Sequence, residues 1–447
     1  MTALTPEDAK SAVYSEIDRR GDEAVRIAKE VLANPEPGYR EHKTSGLVAS
    51  EFRRIGIPFQ DGIAVTGIKG ILDSGRPGPT VAVLGELDSH IVNGHPHADP
   101  ETNAAHACGH HTQPGILVAA AMGLQASGVM DSLSGRVALM AVPAEEYIEI
   151  EYRNQLRRQG KIEFLVGKSE FIKQGAFDDV DMAMMTHTEN QQQAVKFSVG
   201  GTTNGMVAKL IHFTGVSAHA GSQPHLGVNA LNAATLALGA IHAQRETFRE
   251  EDTIRVHPII TRGGGAVSAV PDDVRVETFI RGKTIEAVLS ATQKVDRALK
   301  SGAWAMGASV SITTIPGYLP LQNDPSLQKL HAANSTGLVG DDGVAQRGHE
   351  TGSTDMGDLS NIMPVTHPFV AAASGKAHGM DYVVEDYDLA VLTSAKALAA
   401  TVIDLLANGA GQAHRIEESY EAPLTKQEYL ATVRGFAREE TFSADSA

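Results

Sequence analysis

A change of rhythm along the chain constrains the fold more than any other feature. Thr80–Gly85, Arg136–Val142, Asp181–Thr186 and Val365–Ala373 are short apolar runs, the form of strands buried on both faces of a parallel sheet. Helical stretches accompany them at Gly115–Leu124 and at about Leu389–Leu406. Between the third and fourth runs the order differs. Met206–Phe213 reads as a strand, Val228–Phe248 as a helix, Thr253–Thr261 and Asp273–Ile280 as strands, Ile285–Met306 as a helix and Ser309–Thr314 as a closing strand. That is βαββαβ, the ferredoxin-like pattern. The sequence therefore predicts an α/β fold, a helix-flanked and mostly parallel sheet with an inserted ferredoxin-like domain. The boundaries read as a discontinuous domain at 1–197 and 317–447 and an inserted domain at 198–316.

The two ends carry simpler signals. Thr5-Pro6-Glu7-Asp8 has the form of a helix start, with Thr5 as cap, Pro6 in the first turn and Asp8 three residues after the cap. One long amphipathic helix is predicted from there to about Ala33, stopped by Asn34-Pro35-Glu36-Pro37-Gly38. The polar tail after Gly411 reads as a surface helix or a partly ordered extension.

Charge and cysteine count narrow the function. The 447 residues hold 38 basic and 54 acidic side chains, a net charge of −16, which argues against nucleic acid as a partner because phosphate binding needs a basic face. A small anionic substrate needs only a local basic site and stays open. Cys108 is the one cysteine, so an internal disulfide is excluded and a reducing, cytoplasmic compartment is expected. The amino terminus lacks the basic and apolar segments of a signal peptide, and no apolar run reaches the roughly 20 residues of a membrane span.

The chemistry gathers in one stretch. Six of the 18 histidines, His90, His95, His97, His106, His110 and His111, fall within 22 positions of each other, and Cys108 lies among them in His106-Ala107-Cys108-Gly109-His110-His111. A lone cysteine is usually a small buried hydrophobe, and a Cys–His pair can also serve acyl transfer. Further donors at the ends of other predicted strands favour a metal site instead. Glu145-Glu146 follows the second strand, His187 and Glu189 end the third, and His378 follows the fourth. Sites in open α/β sheets form at the carboxyl ends of strands, where such residues converge. Thiolate and imidazole suit divalent transition metals. Adjacent side chains on an extended backbone point opposite ways. One carboxylate of Glu145-Glu146 can therefore hold a metal while the other stays free to carry a proton. Asp88, after the first strand, reads equally as an orienting partner for a ligand histidine or as a cap.

These motifs resemble the co-catalytic metallopeptidases and amidohydrolases: aminoacylases, carboxypeptidase G, plant indole-acetyl-amino-acid hydrolases and bacterial aminobenzoyl-glutamate hydrolase. The resemblance spans about Ile27 to Asn408 and rests on the phrase HACGH at 106–110, the Glu-Glu pair, a later His and a C-terminal His in that order, and Gly215-Val216-Ser217-Ala218-His219-Ala220 in the insertion. It implies that Cys108, His110, Glu146, His187 and His378 bind one or two divalent ions, manganese or zinc, in a catalytic domain. Glu145 is then the general base and acid, and Asp88 orients a ligand. It further implies a homodimer formed through the inserted lid or dimerisation domain, with His219 reaching the other protomer's site to stabilise an oxyanion. Arg281 and Asn229 are candidates for holding a substrate carboxylate or polar group, and Ser353 and Asp355 lie in a segment resembling a cleft lining. Arg281 also reads as a surface strand residue, and Asn229 reads better as a helix cap.

Some positions depart from the family pattern: Glu86 where Asp or His is frequent, His111 where this branch has Asp or Asn, Ser268 where Asn is usual, and a longer, histidine-rich loop from Ile91 to Ala105. The leading expectation is hydrolysis of the amide bond of a small N-acyl or aminobenzoyl amino acid. The alternative is a hydrolytic deaminase of an aromatic amine such as a nitroanthranilate, because substrate varies widely on one fold. A non-catalytic metal-binding member is the third reading, and Glu145 argues against it, because a binding module has no use for an unliganded base.

Overall fold

The computed structural model describes residues 4–190 and 195–444, and the chain divides into two compact units. The first comprises 1–202, 322–348 and 358–425, and the second 203–321, 349–357 and 426–447.

The first unit is built on a six-stranded sheet, in the order Phe59–Ile63, Gly67–Asp73, Arg136–Val142, Thr80–Glu86, Met182–Met184 and Val365–Thr366. The last four strands run parallel, and the first two add antiparallel at one edge. Every residue of Thr80–Glu86 is buried, which is why that strand reads as an unbroken apolar run. Helix Thr112–Ala126 is buried along nearly its whole length, as its all-round apolar sequence requires.

One predicted strand divides in the structure, and another is followed at once by a further strand. Asp181–Thr186 yields Met182–Met184 in the large sheet, and the chain then enters a second sheet as His187–Asn190. Val365–Ala373 likewise gives Val365–Thr366 in the large sheet and Phe369–Ser374 in the second. The two segments cross together and pair in parallel, His187 opposite Phe369. His367-Pro368 marks the crossing, where proline has no N–H for a continuing ladder.

The predicted amino-terminal helix is two helices, Pro6–Arg19 and Gly21–Leu32. Thr5 caps the first, its Oγ accepting from the Asp8 N–H at 3.2 Å and donating to the Asp8 carboxylate at 2.6 Å. Arg20 breaks the run at φ −111° and ψ 16°. At Gly21 a Cβ would stand 2.9 Å from the Leu392 side chain, so the second helix begins where another segment packs close.

The carboxyl-terminal helical stretch Asp388–Ser419 is long and apolar enough to cross a membrane by length and composition, contrary to the expectation that no segment is. Its apolar window is 78% buried inside the fold, which is how a core helix satisfies the same pattern. Its ladder is interrupted at Ala407–Ala410, where Asn408, Gly409 and Ala410 have positive φ.

The second unit holds a five-stranded antiparallel sheet, in the order Arg255–Arg262, Asp273–Gly282, Gly205–Thr214, Ser309–Pro316 and Arg438–Ser443. Strand Asp273–Gly282 alternates strictly between half-buried and buried positions, turning Val274, Val276 and Ile280 to the core shared with helices Ala230–Ala243 and Ile285–Met306. The helices meet closely at Gly302, where a Cβ would lie 2.7 Å from the Ala237 backbone nitrogen.

The fifth strand corrects the reading of the tail. Residues 426–447, expected with 317–447 in the first domain, belong to the second unit, as do 349–357. Arg438–Ser443 pairs along Ser309–Pro316, Phe442 opposite Val310, with Lys300 and Glu440 ion-paired beside it. This polar edge strand carries a single large apolar residue, Phe442, so it lacks the alternation that marks a strand in sequence.

Candidate metal centre

The centre is assembled at the carboxyl ends of strands in the first unit. Strand Thr80–Glu86 ends at Glu86, and Asp88 and His90 follow two and four residues on, before the short strand His90–Ile91. Glu86 is wholly buried: Lys168 Nζ stands 2.6 Å from Oε1, Gln113 Nε2 donates to Oε2 at 2.9 Å, and His110 Nε2 lies 3.2 Å from Oε2. Burial opposes its charge, yet Lys168 and His110 hold the carboxyl down at about 2.

Asp88 links two parts of the centre. Its backbone oxygen and Oδ1 face His110 Nδ1 at 3.0 and 3.3 Å, while its Oδ2 accepts from the Glu146 N–H at 2.9 Å. Two oxygens at Nδ1 place the proton there and leave the Nε2 lone pair available. Of the two roles open to Asp88 in the sequence, the geometry matches the orienting one.

Gly109 has φ 83°, and a Cβ on it would overlap the Thr188 hydroxyl, so this loop position requires glycine. The turn brings Cys108 Sγ to 3.4 Å from His187 Nε2 and 3.3 Å from His378 Nε2. His187 Nδ1 donates to the Thr188 carbonyl at 2.7 Å, which leaves Nε2 facing the sulfur. His378 sits at φ 61°, and its N–H donates to the Ala107 carbonyl at 2.8 Å, tying it to the same loop.

The Glu145-Glu146 pair follows Ala144, at φ 56°, and the two carboxylates separate. Glu146 Oε1 lies 3.2 Å from His378 Nε2, whereas Glu145 groups with Glu86 and His110. Buried Glu41 holds the turn, accepting from the Ala144 N–H at 2.8 Å and from the Thr66 hydroxyl at 2.6 Å. Burial and the Asp88 charge push Glu41 up to about 7.

Three sets of donor atoms each lie within 4.8 Å of one another: Cys108, His110 and His187; His90, Glu146 and His378; and Glu86, His110 and Glu145. Burial and Glu146 push the Cys108 thiol up, but His187, His378 and His110 outweigh them and bring it to about 5. The Glu146 carboxylate raises His378 to about 12. Burial opposes ionisation of Glu146, yet His378 holds it well below the usual carboxylate range. Among the described residues, His110 Nε2 and Glu146 Oε1 are buried without a well-formed hydrogen bond. A thiolate, imidazoles and carboxylates left facing one another in this way fit divalent transition ions.

Five other candidates lie in the second unit. His219 is exposed, and its Nδ1 accepts from the N–H groups of Gly221 and Ser222, both at 3.1 Å, so its proton is on Nε2. Asn229 caps helix Ala230–Ala243, its Oδ1 accepting from the Asn232 N–H at 3.0 Å; its side-chain oxygen is therefore committed to the helix rather than open to a substrate. Arg281 is half-buried, with its guanidinium 5.6 Å from the Phe279 ring centre. Ser353 has a buried hydroxyl with no hydrogen-bond partner among the described residues, and Asp355 is fully buried.

Sequence reasoning did not single out four residues of the centre for a role. For His90 a signal existed, its place in the histidine-rich stretch, and for Glu86 its place at the end of the first predicted strand. Lys168 carried none, because it reaches Glu86 across 82 positions. His367, at the crossing between the sheets, is buried with its ring 6.0 Å from that of His187 and neither nitrogen hydrogen-bonded among the described residues.

The chain is similar to several known proteins. Residues 202–303 match the family described as the peptidase dimerisation domain. The chain is 25% identical over 449 residues to the Xaa-Arg dipeptidase of Mus musculus, covering 95% of this chain and 94% of that protein. It is 31% identical over 261 residues to the indole-3-acetyl-aspartic acid hydrolase of Enterobacter agglomerans, covering 55% and 54%. The chain thus carries a peptidase dimerisation domain and is similar along most of its length to a dipeptidase, and over about half of it to an amino-acid-conjugate hydrolase. Its fold is that of a solved Bacillus subtilis dinuclear metal-binding peptidase, at TM-score 0.62 and 17% identity over 86% of this chain and 98% of that one. The chain is accordingly a hydrolase of carbon–nitrogen bonds.

Proposed function

We propose that this enzyme hydrolyses the amide bond of a small N-acyl or aminobenzoyl amino acid at a centre of two divalent ions. One observation carries the reading: Cys108 between His187 and His378, with Glu146 against His378 and Glu145 close by. Cys108, His110 and His187 would hold one ion, and Glu146 and His378 the other. Bound there, manganese or zinc would supply Lewis acidity and a water of lowered pKa.

The chain's own groups do the rest. Asp88 fixes the His110 tautomer and the Glu146 backbone. Glu145 takes the proton of the attacking water and returns it to the leaving nitrogen. His219, with its proton on Nε2, is the donor for the negative charge that develops on the carbonyl oxygen. In a homodimer formed through the second unit it would serve the other protomer's reaction. Arg281 would meet the substrate carboxylate, with Ser353 and Asp355 as polar contacts. A thiolate ligand works only where thiols stay reduced, which supports a cytoplasmic location.

The test is product analysis. The protein is loaded separately with manganese and zinc and given N-acyl and aminobenzoyl amino acids alongside anthranilates and related aromatic amines. An acid and a free amino acid are the expected products. Ammonia with an amine-to-hydroxyl mass change, and no amide cleavage, would replace this reading with an aromatic deaminase.

A further inference from the structure

We propose that His90 is a metal ligand, completing the position held by Glu146 and His378. The inference rests on the two-ion reading above and adds a donor that the family resemblance does not supply.

The placement of His90 carries the argument. Its donor atom lies within 4.8 Å of those of Glu146 and His378, and its ring centre is 4.5 Å from that of His378 at an interplanar angle of 33°. The Ile91 N–H and the Ile91 carbonyl both face His90 Nδ1, at 2.8 and 3.0 Å. The Ile91 backbone thus engages Nδ1 in either tautomer, and with Nδ1 donating to the carbonyl the Nε2 lone pair is offered to a cation, the arrangement by which metal-ligating histidines are usually oriented.

The unusual loop from Ile91 to Ala105 has a purpose on this reading. It closes as a two-stranded ribbon, His90 opposite Ala105 and Ile91 opposite Ala104. The Val92 N–H donates to the Asn103 carbonyl at 2.8 Å, and Asp99 Oδ1 accepts from the Thr102 N–H and hydroxyl, each at 2.8 Å. Buried His95 accepts at Nδ1 from the His97 N–H at 3.1 Å and donates from Nε2 to the Tyr382 carbonyl at 2.7 Å. The loop is thereby pinned to the segment that carries His378. A ribbon tied at its base to one partner histidine holds His90 in register with it.

The two positions then differ in chemistry. Cys108, His110 and His187 offer one sulfur and two nitrogens, which favour zinc. His90, His378 and Glu146 offer two nitrogens and a carboxylate, which also admit manganese.

The experiment counts metal in the full-length protein. Wild type, His90→Ala, His90→Asn and His97→Ala are stripped with a chelator, titrated with zinc or manganese, and read by elemental analysis and calorimetry, with thermal melts of the apo forms as a folding control. His97 is exposed in the same loop. Wild type and His97→Ala are expected to bind two ions per chain. Both His90 variants should keep one ion and lose affinity for the second by at least tenfold. Two ions at unchanged affinity in the His90 variants would overturn the assignment and leave the metal centre standing. Equal loss of both ions would also overturn it, since His90 would then support the whole centre. No ion in wild type would bring down the underlying two-ion reading itself.

Discussion

The two units solve different problems with their histidines and carboxylates. In the first, His110, Glu86, Glu145 and Glu146 are buried and held by partners far away in sequence: Asp88 for His110, Lys168 for Glu86, Glu41 for the turn at Ala144. In the second, His219 and Asn229 are exposed or half-exposed, and their recorded bonds go to backbone N–H groups two or three residues on. Buried donors must be fixed by the fold because an unpaired buried charge is costly. Exposed groups need only local geometry. The contrast suits the proposed roles, ion binding in the first unit and presentation of a donor in the second.

The sharpest test of that division is Glu145→Gln. It keeps the volume and removes the base, so metal content should stay at the wild-type value while turnover falls by roughly 10²–10⁴-fold. Equal losses of metal and activity would make Glu145 a ligand instead. Cys108→Ala should act at the earlier step, weakening ion binding by more than tenfold in a calorimetric titration, because it removes the sulfur flanked by two imidazoles.

His219→Ala should lower kcat by about 10²-fold with metal content unchanged. Mixed with Glu145→Gln and allowed to exchange subunits, it should regain part of the activity, since one site of each mixed dimer has both groups intact. Absence of any recovery would end the proposal that His219 serves the other protomer.

A pH experiment probes burial in the first unit away from the centre. Burial lowers His331 from 6.5 to about 4. As pH falls through that window the unfolded chain takes a proton that the folded chain refuses, so stability drops by on the order of 3 kcal/mol at the lower end. In His331→Leu the slope of stability against pH between 6.5 and 4 should shrink by one proton, as read by denaturant melts. The smallest effect is expected at Asn229→Ala, about 1 kcal/mol of stability from the lost cap, with KM unchanged. A raised KM there would restore Asn229 as a substrate contact.

Legibility followed the range of the interactions. Ile285–Met306 and Arg136–Val142 coincide with their predicted bounds, because apolar periodicity alone defines them. The switches of sheet at Thr186-His187 and Thr366-His367-Pro368 were hidden, since the segments on either side are short and only pairing tells which sheet takes them. Within the centre, Cys108, His110, His187, Glu146 and His378 were legible as a constellation, and the structure brings them together. Lys168 and Glu41 were not, because a single charged residue on a helix or loop looks the same whether it faces solvent or a buried partner.

The sequence by itself determined most element types, the ferredoxin-like pattern of the insertion and five of the donor residues, since periodicity, caps and residue chemistry are local properties. The tertiary structure alone decided which donors share a position, that Asp88 holds His110 and Glu146 together, that Arg438–Ser443 joins the second unit's sheet, and that His90 stands against His378. Those relations depend on strand ends that converge only once the sheets have formed. No local pattern records how chain segments hundreds of residues apart, such as 90 and 378, will be brought within contact.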